Sequence, residues 1–110
     1  MHRIERRERM LVEFSVVPIG SGQSVSKYVA ECLKLVEASG LDYKINPMGT
    51  VVEGGYDEVM DVVRRCHMRV MGMCPRVITS VKIDDRRGKS GMLESKIASV
   101  EAKVGKKLKR

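Results

Sequence analysis

A tight turn between two β-prone runs constrains this chain more than any other feature. Asn46-Pro47-Met48-Gly49 is turn chemistry: Pro47 presets φ at the second position, Asn46 can bond the turn backbone, and Gly49 suits the fourth. Tyr43-Lys44-Ile45 before it and Thr50-Val51-Val52-Glu53 after it are short and β-prone, which predicts a hairpin. Its second strand carries one threonine and one carboxylate among apolar residues. Period-two geometry puts Thr50 and Val52 on one face and Val51 and Glu53 on the other, and leaves open which set faces the core.

Upstream, strict alternation from Leu11 predicts another strand. Val12, Phe14 and Val16 share the face turned to the helices; Leu11, Glu13, Ser15 and Val17 share the other. Pro18 to Gln23 ends it. Ser24 is a candidate N-cap for a helix from Val25 to Ser39, with Val25, Val29, Cys32, Leu33 and Val36 on one side and Gly40 closing it. A glycine loop before a helix can cradle phosphate, but Gly20-Ser21-Gly22 without further glycines is a weak signal for an anion site. After the hairpin, Asp57 and Glu58 suit the first turn of a second helix, in which Val59, Val63, Cys66, Val70 and Met73 recur at helical spacing. Arg76 to Asp85 reads as the last strand, with Val77, Thr79, Val81 and Ile83 alternating against Ile78, Ser80 and Lys82. Asp84-Asp85-Arg86-Arg87-Gly88 is a polar turn whose charges suggest a local ion-pair network. A last helix from about Gly91 to Val104 carries Leu93, Ile97, Val100 and Val104 as a stripe that must dock on this chain's sheet or on another subunit.

The order strand, helix, strand, strand, helix, strand predicts an α+β ferredoxin-like β-α-β-β-α-β sandwich, an antiparallel four-stranded sheet with an extra C-terminal helix. The first and third strands become central neighbours, flanked by the last. Both faces of that last strand are partly apolar, so the sheet is expected to be covered on both sides. At 110 residues this is one domain, and with one Phe, three Tyr and no Trp its core must be built from Val, Ile, Leu and Met.

The net charge of +7 suggests nucleic acid until it is located. Residues 1–9 and 103–110 carry all of it, and the body between them is neutral. Basic ends favour solubility and weak, salt-sensitive contact with polyanions rather than a shaped site. RNA-recognition domains share the predicted topology but stack bases on aromatics of the central strands. Here those strands offer only Phe14, in phase with the core. No apolar run approaches a membrane span. Cys32, Cys66 and Cys74, an odd number without a signal peptide, point to reduced thiols in a cytoplasmic protein. Neither the spacing of His67 to Cys66 nor that to Cys74 matches a zinc site, and adjacent helix positions point apart, so a surface histidine and core cysteines are expected. No catalytic residue, nucleophile–base pair or metal site is predicted.

Four blocks carry a family likeness. Glu13-Phe14-Ser15-Val16-Val17-Pro18, Ser24-Val25-Ser26-Lys27-Tyr28-Val29, Pro47-Met48-Gly49-Thr50-Val51-Val52-Glu53-Gly54 and Lys82-Ile83-Asp84-Asp85-Arg86-Arg87 resemble, in this order, the small thiamine-binding protein family, the MTH1187/YkoF-like group once known only as UPF0045. The likeness covers residues 10–104, leaving 1–9 as a basic N-terminal extension and 105–110 as a basic tail. It implies binding of thiamine or its hydroxymethylpyrimidine part without catalysis. It also implies homodimers sharing an extended sheet, paired again into homotetramers with the final helix serving the assembly. The ligand-binding set it suggests is Glu13, Ser15, Thr50, Val52, Glu53, Thr79, Ser80 and Lys82.

The chemistry fits such a ligand. Glu53 or Glu13 can take the hydrogen bond of an exocyclic amine, and Ser15, Thr50, Thr79 and Ser80 offer short hydroxyl partners. A thiazolium cation favours an acid in the pocket and disfavours Lys82, which could instead pair with Asp84 or meet a phosphate. The alternative reading is a structural or regulatory oligomer without a small ligand, or weak polyanion binding through the basic tails.

Overall fold

The computed structural model describes residues 9–20, 22, 25–88 and 91–110. Seven elements follow in chain order: β1 (Met10–Ile19), α1 (Ser26–Ser39), β2 (Asp42–Asn46), β3 (Gly49–Gly54), α2 (Tyr56–Met71), β4 (Arg76–Asp84) and α3 (Met92–Val104). The strands form one antiparallel sheet in the order β2-β3-β1-β4. This is the ferredoxin-like arrangement, with β1 and β3 at the centre. The hairpin turns on Pro47 and Met48 with Asn46 opposite Gly49, and none of the four residues has positive φ. Gly49 is required by closeness: a Cβ there would lie 3.1 Å from the Phe14 carbonyl oxygen of the central strand.

Register decides which residues share a face. Val12 lies opposite Val52 on one side and Ile83 on the other; Phe14 lies opposite Thr50 and Val81. These residues face α1 and α2. Met10, Val12, Phe14 and Val52 join Tyr28, Cys32 and Val36 of α1 and Val59, Val62, Val63, Cys66 and Val70 of α2 in the core. The core differs from the Val, Ile, Leu and Met set read from composition: Phe14 and Tyr28 are buried in it with valines and cysteines, while leucines pack only at its margin. The α1 stripe differs from the one read by spacing. Val25 and Val29 are exposed, and Tyr28 is buried in their place. Tyr28 presents the larger apolar body, so the helix rolls to cover it and leaves the two valines at the rim. Val25 is the N-cap residue and makes no side-chain cap; Ser24, the expected cap, lies outside the described residues, as do residues 1–8 and the central Ser21 of the glycine loop. Gly40 ends α1 in the left-handed conformation at φ 75°. At the start of α2, the Glu58 carboxylate receives the Gly55 N–H at 3.4 Å.

The opposite sheet face is partly covered by α3. Leu93 and Ile97 are half-buried there, but Val100 and Val104 are more than half exposed. The first half of the stripe docks on this chain's own sheet and the second half does not. No helix among the described residues is long and apolar enough to cross a membrane.

Candidate functional site

The face of the sheet away from α1 and α2 holds a ladder of matched pairs where β1 meets β4. Glu13 lies opposite Lys82, Ser15 opposite Ser80, and Val17 opposite Ile78. Antiparallel pairing places such partners side by side on one surface, within reach of one small molecule. Glu13 Oε1 and Lys82 Nζ stand 3.8 Å apart, both well exposed. The ion pair is therefore weak and available for exchange. Val17 and Ile78 are 41% and 46% exposed and give the two serines an apolar border. The predicted ligand set omits both, although alternation already places them on this face.

The other predicted residues are distributed differently. Glu53 shares the far face, opposite Leu11, but is only 2% exposed and already engaged. Its carboxylate receives the backbone N–H of Met92 at 2.9 Å and that of Leu93 at 3.4 Å, capping the first turn of α3. A carboxylate at a helix N-terminus satisfies orphan donors and meets the positive end of the dipole. Thr50 and Val52 face α1 and α2, and Val52 is fully buried in the core. Thr79 also faces the helices: its Oγ1 shares a 2.7 Å hydrogen bond with His67 Nδ1. His67 is thus half-buried and bonded, not a free surface histidine. The structure brings Glu13, Ser15, Ser80 and Lys82 together and does not bring Thr50, Val52 or Thr79 to them.

Charges around the face are arranged by α3. Lys96 Nζ lies 2.5 Å from Asp84 Oδ2, and this bond holds the Asp84 carboxyl below its usual range. Asp84 therefore finds its main partner on α3, in place of the local arginine network read from the sequence, and Lys82 pairs with Glu13 instead of Asp84. Glu94 is bridged by Lys44 of β2 and by Arg110, which lower its pKa. The basic tail folds back on the helix. Arg110 pairs with Glu101, which also accepts the Leu108 N–H at 2.7 Å, and the two contacts bring the Glu101 carboxyl down to about 2. Among the described residues no three His, Cys, Asp or Glu side chains converge on a point that could hold a metal.

Fold and face together define a ferredoxin-like sandwich with a third helix on the far side of its sheet, beside an open patch of mixed polarity. The chain belongs to the thiamine-binding protein family, whose model matches residues 12–101. UPF0045 protein MJ1052 of Methanocaldococcus jannaschii is 36% identical over 92 residues, covering 84% of this chain and 92% of that protein. UPF0045 protein YqgV of Bacillus subtilis is 38% identical over 96 residues, covering 82% and 92%. The crystal structure of MJ1052 matches with a TM-score of 0.79 at 35% identity, over 84% of this chain and 96% of the other. TM0486 of Thermotoga maritima, described as a candidate thiamine biosynthesis/salvage protein, matches with a TM-score of 0.74 over 84% and 98%. At 23% identity that likeness speaks for the fold alone.

Proposed function

We propose that the protein is a non-enzymatic binder of a thiamine-type small molecule, thiamine itself or its hydroxymethylpyrimidine part, held on the β1–β4 surface. The observation that carries this reading is the register that sets Glu13 against Lys82 and Ser15 against Ser80 beside exposed Val17 and Ile78. A carboxylate and two hydroxyls suit an aminopyrimidine edge, and the two aliphatic side chains suit its ring face. Family membership supports the ligand class. Calorimetric titration with thiamine and with hydroxymethylpyrimidine tests it. Micromolar binding that weakens in Glu13→Gln and Ser80→Ala, but not in Thr50→Val, is the expected result. Absence of heat with either compound removes the ligand.

The second part of the proposal is self-association into a homodimer through an extended sheet, paired again into a homotetramer. β4 sits at the sheet edge with nine residues and is far longer than β2 at the opposite edge. A long uncovered edge is a template for strand addition. Exposed Val100 and Val104 on α3 add apolar surface for a further contact. A structural oligomer without a small ligand rests on these same features, and the titration separates the two readings. Sedimentation at micromolar concentration checks the assembly itself.

A further inference from the structure

The helix layer behind the sheet brings two of the three cysteines together. Cys32 projects from α1 and Cys66 from α2. Cys32 Sγ lies 3.8 Å from the Cys66 carbonyl oxygen, and Cys66 Sγ lies 3.5 Å from the Cys32 carbonyl oxygen. Each side chain thus reaches the other's backbone across the helix pair. A disulfide needs Cα atoms roughly 4.4–6.8 Å apart and side chains that face each other. With each Sγ lying against the other residue's carbonyl, the two side chains share one space between α1 and α2, and rotation about the Cα–Cβ bonds turns each sulfur toward the other. Cys74 is placed differently, its thiol lying 3.4 Å from both the Val70 and the Arg76 carbonyls.

We propose that Cys32 and Cys66 are a redox-active pair that closes to an intramolecular disulfide under a two-electron thiol oxidant, stapling α1 to α2. Cys32 is the entry point, since it is 7% exposed and Cys66 is fully buried. Its neighbour Cys66 lowers the pKa of the Cys32 thiol, while Cys32 and burial push that of Cys66 up. With a diazene oxidant, the Cys32 thiolate adds to the N=N bond and one nitrogen takes up a proton. The Cys66 sulfur then attacks the Cys32 sulfur. The S–S bond forms, the S–N bond breaks, and the leaving nitrogen takes the Cys66 proton. Two thiols lose two hydrogens in total and the diazene becomes a hydrazine. The bridge closes a loop across 34 positions of sequence, which restricts the unfolded chain.

The test treats the native protein with diamide, alkylates the remaining thiols in denaturant and maps them by mass spectrometry. The expected result is a monomer lighter by two hydrogens, with a Cys32–Cys66 linked peptide and Cys74 alkylated. Its thermal midpoint should rise by several degrees, and dithiothreitol should reverse the change. Cys74→Ser should behave identically. Helix packing by two small side chains alone predicts three alkylated cysteines after the same treatment, and that result overturns the proposal. So does oxidation that captures Cys74 or links two chains.

Discussion

The Glu53 carboxylate receives the Met92 N–H at 2.9 Å, so a residue of the central hairpin caps a helix that begins 39 positions later. Through this bond and its companion to Leu93, the sheet determines where α3 starts. Glu53 is buried and holds two donors. Replacing it with alanine strands both N–H groups at a covered helix end, at a cost of about 2 kcal/mol. Urea denaturation checks the magnitude. Hydrogen exchange checks the cause: the Met92 and Leu93 amides should lose protection while those of β1 keep it.

The hairpin makes a second prediction. Gly49→Ala places a methyl group 3.1 Å from the Phe14 carbonyl. That oxygen belongs to the central strand and cannot step aside as a flexible side chain could. The expected loss is about 1–2 kcal/mol in denaturant titration. Met48→Ala, at an 87% exposed turn residue, should be close to neutral.

Val52 is the residue at which a binding role and a core role are most cleanly separated. It is fully buried between β1, β2 and the helix layer. Val52→Ala should cost about 2 kcal/mol, from lost burial plus the cavity left behind. Binding on the β1–β4 surface should survive at temperatures where the variant remains folded.

These cases mark what could be read from the residues and what could not. The alternation of β1 was sufficient to find its core face, because Val12, Phe14 and Val16 are uniformly apolar. β3 was harder: Thr50-Val51-Val52-Glu53 puts one polar and one apolar residue on each face, so pattern alone cannot orient it. Its orientation comes from the pairing of Val12 with Val52. The role of Glu53 depends on a backbone N–H far along the chain, and nothing local to Glu53 announces it. Asp84 shows the same limit. Arg86 and Arg87 are its neighbours in sequence, but α3 returns to place Lys96 closer. Of the candidate site, Glu13, Ser15, Ser80 and Lys82 were legible as residue types. Their grouping was not, because it rests on register.

The basic tail yields a pH prediction. Arg110 and the Leu108 N–H bring the Glu101 carboxyl from an ordinary value of 4.5 down to about 2. A lowered folded-state value means that the stabilisation is fully present above about 4.5 and fades as pH falls through about 2. The Leu108 amide signal, followed by NMR against pH, should move with a midpoint near 2. In Arg110→Ala the largest cause is gone, and the midpoint should shift upward toward 4.5.

Glu13 and Lys82 allow the charge of the ligand to be read from two substitutions. They stand opposite each other on β1 and β4 and pair only loosely, at 3.8 Å. A cationic thiazolium beside them is attracted by one and repelled by the other. Glu13→Gln should then weaken thiamine binding by roughly threefold, and Lys82→Met should strengthen it by a similar factor, the scale of an exposed charge contact. Both effects should shrink as salt rises. Hydroxymethylpyrimidine, which lacks the thiazolium, should respond to Glu13→Gln through its amine and be nearly indifferent to Lys82→Met. A phosphorylated ligand reverses the sign at Lys82, because the ammonium then meets an anion. Titrating both variants with thiamine, its phosphate and the free pyrimidine therefore separates the three ligand forms. Indifference of all three ligands to both substitutions would move the site off the β1–β4 surface.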